Sequence, residues 1–264
     1  MAPVRTLGLP ETIYCRPFSE GLRGNPSFRI VRGEPAALAE QLFAHALDAA
    51  FVSPIDYARN ASEYLIVPGS AVSSAEGNNA VVVHFREGAT AVRTLAVPPT
   101  SASDIIVAKI LLAERFDLNP QIVPVIGSLD EMLARADAAL LAADAAMHYA
   151  LSRPNALDLV EEWVVSTDFP YVHGFWAGRV DALTRPELQA LATAGGSGYK
   201  TLAEAGGPLA GALEAFSYDL TDDVQEGIRE FFRYAYYHGI LPDVPELRFY
   251  GAGEPSSSAD PALN

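Results

Sequence analysis

Few groupings of residues in this chain could carry out a reaction unaided. The serine-hydrolase pattern GxSxG, the zinc-protease pattern HExxH, the P-loop and GxGxxG are all absent, which removes the commonest nucleophilic, metal and nucleotide signatures. The five histidines, His45, His84, His148, His173 and His238, show no metal-ligand spacing and read as surface or satisfied core residues. Cys15 is the one cysteine, so neither an internal disulfide nor a Cys-rich zinc site is available. Glu161 and Glu162 read as a solvated helix face, and Tyr234, Tyr236 and Tyr237 as packing at helical spacing. What remains is chemistry by hydroxyls, amides and aromatic rings.

Three segments concentrate those groups. Residues 99–104 read Pro-Thr-Ser-Ala-Ser-Asp, hydroxyls at a strand-to-helix turn. Free N–H groups and the positive end of the helix dipole favour an anion there, although the same residues also serve as plain N-caps. Residues 72–83 carry a polar knot, Ser73, Ser74, Asn78 and Asn79, ahead of an apolar run; such amides and hydroxyls line clefts or make ordinary turns. Residues 169–179 read Phe-Pro-Tyr-Val-His-Gly-Phe-Trp-Ala-Gly-Arg. Aromatic walls with one base, Arg179, suit an aromatic carboxylate, whereas an arginine at a strand end is usually a surface pair.

These groups must be positioned by the elements around them. Apolar runs alternate with helical patterns, which predicts α/β architecture with mostly parallel sheet. Strands are expected at 12–14, 28–31, 49–53, 64–67, 80–85, 92–97, 121–126, 138–141 and 171–179. Helices are expected at 35–47, 54–58, 105–115, 129–134, 143–151, 157–166, 185–205 with a Gly-rich break, 208–215 and 222–238. In that frame Tyr14, Ser53, Ser73, Ser74, Asn78, Asn79, Thr100, Ser101, Ser103 and Asp144 fall at carboxyl ends of strands or starts of helices. Open α/β sheets bind ligands at such places, so these ten are expected to converge on one cleft.

Composition limits what the cleft can meet. With 264 residues, 50% hydrophobic and 19% charged, the chain folds around a large core. Its net charge of −15 argues against a nucleic-acid surface or an anionic membrane as partner. An anionic ligand has to be held locally against that field. No run approaches the ~18 apolar residues of a membrane span, and the first residues, MAPVRTLGLPETIYCRP, lack a signal-peptide core; a cytoplasmic location is expected. The Pro/Ser-rich tail at 251–264 reads as disordered.

Taken in order, DAAFVSPIDYARN at 48–60, YLIVPGSAVSS at 64–74, TSASDIIVAKILLAERF at 100–116, DAALLAADAAM at 137–147 and DLVEEWVVSTDFPYVHGFWAGR at 158–179 resemble the successive motifs of the menaquinone-biosynthesis (futalosine pathway) chorismate dehydratases. IYCRPFSEGL at 13–22 is similar to that family's first motif. The resemblance implies a two-lobed fold of the type II periplasmic-binding-protein kind, with a ligand cleft between lobes. It assigns 1–89 plus 169–250 to one lobe and 90–168 to the other. It further implies a lyase that eliminates water from chorismate, giving 3-enolpyruvoyloxybenzoate without metal or organic cofactor.

The chain departs from the pattern at Tyr14, where the family has Asn, at Ala80, where it has Ser, and at Asp104, where it has Ser. Tyr14 and Asn79 are the nearby donors able to replace the missing groups, and are the expected catalytic residues. A carboxylate at Asp104 within 4–5 Å of a bound carboxylate would cost ~3–4 kcal/mol at an effective dielectric of about 20. The alternative expectation is therefore a non-catalytic binder of an aromatic carboxylate on the same scaffold.

Overall fold

The chain begins in the middle of its first sheet. In the computed structural model, which describes residues 3–98, 102–149 and 155–251, β1 (Arg5–Pro10) pairs in parallel with β2 (Phe28–Gly33) on one side and β3 (Ala49–Val52) on the other. Leu7 and Leu9 are fully buried. The strand expected at 12–14 is instead a 3-10 turn, Ile13–Cys15, leading into α1 (Arg16–Gly21). Pro10 closes β1, and Pro17 sits in the first turn of α1, where its missing N–H costs nothing. Between β2 and β3, α2 (Pro35–Phe43) buries Leu38 and Leu42. The short α3 (Pro54–Ala58) then leads to β4 (Tyr64–Ser74). β4 is longer than the expected 64–67 because the chain shifts register around Pro68 and Gly69 (φ +81°) and then resumes pairing.

From β4 the chain passes into a second sheet. There β5 (Val81–Phe85), β6 (Thr94–Val97), β7 (Gln121–Pro124), β8 (Ala138–Ala142) and β9 (Ala156–Asp158) line up in the order β7-β6-β8-β5-β9. The helices here are α4 (Ala102–Phe116), α5 (Leu129–Leu133), α6 (Ala143–Tyr149) and α7 (Leu159–Thr167). The return strand β10 (Tyr171–Arg179) inserts between β3 and β4, completing the first sheet as β2-β1-β3-β10-β4.

The two sheets have the same plan. Each contains one strand antiparallel to its neighbours, β10 in the first and β5 in the second, and in each case it is the strand that arrives from the other sheet. Sheet membership therefore puts the first crossing between Ser74 and Val81, ahead of the lobe bound at 89 that the resemblance implies. The near-continuous apolar run of β5 could not reveal which sheet it joins.

The C-terminal part is helical: α8 (Arg185–Ala205), α9 (Pro208–Leu213) and α10 (Asp222–Tyr237). The Gly-rich break expected in α8 is absent. Its glycines serve close packing instead: a Cβ at Gly198 would lie 1.8 Å from the Pro17 carbonyl oxygen, and one at Gly21 2.0 Å from that of Ala194. α1 and α8 thus touch backbone to backbone. The tail expected to be disordered lies, from residue 252 on, outside the described residues.

Candidate functional site at the junction of the two sheets

The carboxyl ends of β3 and β4, the amino end of β10 and the turn after β1 meet the second lobe at one place. Four side chains of the first lobe build an aromatic cage there. The His173 ring lies 4.9 Å from that of Tyr14 (31° tilt), 4.9 Å from that of Tyr171 (75°) and 5.2 Å from that of Phe216 (67°). His173 stands at a register shift in β10, between the paired Val172 and Gly174, and its ring meets that of Tyr171 there; Tyr14 reaches them because the 3-10 turn carries it inward.

Polar groups complete the cage. His173 Nε2 lies 3.0 Å from Ser74 Oγ, and Asn78 Nδ2 donates to the same oxygen at 2.8 Å. Both Ser74 Oγ (3.2 Å) and Asn78 Nδ2 (3.4 Å) reach the Ala215 carbonyl. Ser74 has one proton for two acceptors, so when it donates to Ala215, His173 donates from Nε2. Burial lowers the pKa of His173 to about 3, which leaves a neutral imidazole that hydrogen-bonds but cannot balance a carboxylate. Burial, reinforced by the nearby Asp104 carboxylate, raises Tyr14 and Tyr171 well above the ordinary phenol range. Both remain protonated donors.

The second lobe contributes clasps. Tyr171 donates its hydroxyl to Asp104 Oδ1 at 2.6 Å, both side chains being buried. Ser103 Oγ accepts from Ile55 N at 3.1 Å, capping α3 from the other lobe. Asp144 Oδ2 accepts from Ile13 N at 2.7 Å, and its Oδ1 lies 3.4 Å from Arg16 Nη2. Asp104, expected to oppose a ligand carboxylate, is thus already engaged by a phenol.

Of the ten predicted site residues, Tyr14, Ser74, Asn78, Ser103 and Asp144 come together at this junction. Thr100 and Ser101 lie outside the described residues. Ser53 turns aside, donating to Asp56 Oδ2 at 2.6 Å. Ser73 is buried and exchanges both backbone hydrogen bonds with Ser217; its side chain takes the opposite face of β4 from Ser74. Asn79, the expected catalytic amide, is exposed at φ +57°, with its N–H given to Asp158 Oδ2 at 2.7 Å. Asp158 also caps α7, and this double duty fixes the turn with Asn79 outward and Asn78 inward. Arg179 is likewise outside the cage. It stands at the far end of β10, ~26 Å from Tyr171 at the usual strand rise, bonding the Leu47 carbonyl at 2.5 Å and approaching Asp48 at 3.8 Å.

Sequence reasoning missed His173 and Tyr171 as individuals. The available signal was the period-two alternation Tyr171, His173, Phe175 inside the aromatic segment. Among the described residues no group of three or more His, Cys, Asp and Glu is arranged to hold a metal ion, and no helix is long and apolar enough to cross a membrane.

Two five-stranded sheets that exchange a strand, with polar and aromatic groups gathered where they meet, define a protein of the periplasmic-binding-protein-like class. Solved structures with this fold include protein AF1704 from Archaeoglobus fulgidus (16% identity, TM-score 0.68, covering 90% of this chain and 98% of that one). The CA3427 gene product of Candida albicans, described as having the generic periplasmic binding protein structural fold, is similar at 12% identity (TM-score 0.65, 91% and 92%). So is the alkanesulfonate-binding protein SsuA from Xanthomonas axonopodis pv. citri, solved with MOPS (17%, TM-score 0.61, 94% and 96%). Residues 6–205 match the sequence profile of a menaquinone biosynthesis family; the chain belongs to that family.

Proposed function

We propose that this protein is a lyase that eliminates water from chorismate to give 3-enolpyruvoyloxybenzoate, using no metal or organic cofactor. The observation that carries the reading is the cage at the lobe junction. In it Tyr14, Ser74 and Asn78, separated in sequence, surround a neutral imidazole with protonated hydroxyl and amide donors. The family match supplies the pathway.

The chemistry asks little of the protein. The C–H bond at the ether-bearing ring carbon breaks, its proton passing to water, and its electron pair forms the third ring double bond. The neighbouring C–OH bond breaks, and the departing hydroxide takes up a proton as water. Aromatisation drives the loss, so positioning and hydrogen bonding to the leaving oxygen suffice. In this reading Tyr14 donates to the leaving hydroxyl, a role suited to a phenol that stays protonated. Asn78, rather than Asn79, holds the Ser74 hydroxyl and with it the orientation of the His173 ring.

A second reading, a binder that performs no chemistry, is favoured by Asp104. Its buried carboxylate stands in the first turn of α4, where a helix N-terminus would otherwise receive an anionic ligand group. The deciding experiment incubates purified protein with chorismate, follows the aromatic product by absorbance and chromatography, and measures binding by calorimetry. Turnover that falls at least 100-fold in Tyr14→Phe with little change in affinity supports the lyase. Binding without turnover in the native protein establishes the binder.

A further inference from the structure

The elimination needs a group to receive the ring proton, and His173, the only imidazole in the cage, is unsuited to it. Its Nε2 is engaged with Ser74 Oγ at 3.0 Å. Burial lowers its pKa to about 3, so the imidazolium that such a transfer creates is an acid too strong to hold the proton.

Of the described residues at the junction, two are carboxylates. Asp144 accepts from Ile13 N at 2.7 Å and from Arg16 at 3.4 Å, and 45% of its side chain faces solvent; water and two donors already satisfy it. Asp104 is different. It is 3% exposed, comes from the second lobe, and has Oδ1 2.6 Å from the Tyr171 hydroxyl. From Tyr171 the rings continue at 4.9 Å to His173 and at 4.9 Å again to Tyr14. After burial itself, the Asp104 charge is the largest cause raising both Tyr14 and Tyr171. A buried carboxylate thus stands against the cage, within electrostatic range of the phenol that serves the leaving hydroxyl.

The shape of the substrate asks for that pairing. In chorismate the ether oxygen and the hydroxyl lie on opposite faces of the ring. The hydrogen on the ether-bearing carbon therefore shares a face with the hydroxyl that leaves. A base and a proton donor for this elimination have to stand side by side, not across the ring from one another.

We infer that Asp104 is a catalytic residue of this elimination, the base that first takes the proton from the ether-bearing ring carbon, beside Tyr14 on the same face. The inference rests on the lyase reading, and it gives a use to a carboxylate that otherwise only opposes an anionic ligand. In the step, Asp104 becomes a carboxylic acid and the C–H electron pair forms the ring double bond as the C–O bond breaks. The departing hydroxide takes the Tyr14 proton and leaves as water. The acid then gives its proton to water and the Tyr14 phenolate recovers one, so both side chains are restored. Tyr171, which holds Oδ1 through its hydroxyl, is a positioning residue for the base.

The test follows chorismate turnover and binding in the full chain. Asp104→Asn keeps the shape of the side chain and an acceptor for Tyr171. It is expected to lower kcat by about 100-fold or more, while chorismate affinity by calorimetry stays the same or tightens because a like charge is removed. A merely structural role would weaken binding along with the rate. In Asp104→Ala, formate added at constant ionic strength should restore part of the lost rate by supplying a carboxylate where one was deleted. A folded Asp104→Asn protein with kcat within about threefold of native overturns the inference and leaves the lyase reading standing. So does a folded Asp104→Ala protein that formate does not accelerate. If Asp104→Asn does not fold, the kcat of Asp104→Ala and its response to formate decide the matter. Absence of turnover in the native protein overturns both the inference and the reading beneath it.

Discussion

The two sheets share a topology but not a chemistry. The core around the first is aromatic: Phe18 and Phe51 meet Trp176 edge-on at 5.7 and 6.0 Å and lie tilted to each other at 5.3 Å, and Tyr57 packs on Phe175 and Phe232. One cluster in the second lobe is built of Val82, Val125, Leu129, Met132 and Leu141 with alanines between them, and no fully buried ring. The division extends to the junction. The first lobe supplies the aromatic cage, and the second supplies hydroxyl and carboxylate clasps from the first turns of α4 and α6. Large, rigid rings bury much area and hold a fixed wall, whereas carboxylates and a serine at helix starts make directional bonds that break and re-form. The first lobe thus gives the junction its wall, and the second gives it directional hydrogen bonds.

That contrast is open to test, most strongly in the cores. Trp176→Ala should cost about 3–5 kcal/mol and Leu141→Ala about 2–3 kcal/mol, by the loss of buried area and the cavity left behind. Urea unfolding followed by fluorescence and circular dichroism should show one transition in both variants, because each sheet holds a strand inserted from the other. Two separable transitions would show that the lobes fold independently.

His173 gives a pH signature to the aromatic lobe. Its folded pKa of about 3 lies below the ~6.5 of an unfolded histidine, so the unfolded chain binds the extra proton between those values. The stability this group contributes is fully present above pH 6.5 and declines as pH falls toward 3, by at most about 1.4 kcal/mol per pH unit. In His173→Gln the stability curve should be flatter between pH 6.5 and 5, above the range where carboxylates titrate; an unchanged slope would mean that the imidazole is not buried neutral.

Smaller effects are expected in the clasps. Tyr171→Phe leaves the buried Asp104 carboxylate without its phenol donor and should cost about 2–3 kcal/mol, while Tyr171→Phe combined with Asp104→Leu should recover part of it. A single mutant within 0.5 kcal/mol of native would demote this bond. Ser128 accepts from Glu131 N at the start of α5, in a capping box; Ser128→Ala should cost about 1 kcal/mol and leave chorismate binding unchanged.

Much was legible before any coordinates. The α/β alternation, the helix following the hydroxyl-rich turn, the whole of β10 and most of α10 are written as apolar periodicity and caps. Tyr14, Ser74 and Asn78 could be singled out because polar groups between apolar strands collect at strand ends. The misplaced residues fail because one specific partner claims each of them. Asn78 and Asn79 are chemically identical in sequence, and only the Asp158 carboxylate, 79 residues away, turns one inward and the other out. Ser53 and Ser103 share a type and a kind of position, yet each hydroxyl is used at once by a neighbour, Asp56 in one case and the Ile55 N–H in the other.

By itself the sequence determined the kind of elements, their order and the scarcity of charge available to a ligand, because these depend on periodicity, caps and composition over a few residues. The tertiary structure alone decided that β5 and β10 trade sheets, that the glycines of α8 admit α1 instead of ending a helix, and that Asp104 meets the Tyr171 hydroxyl. Each of those outcomes rests on contacts between residues tens of positions or more apart, and no local pattern encodes which partner a distant backbone or side chain will bring.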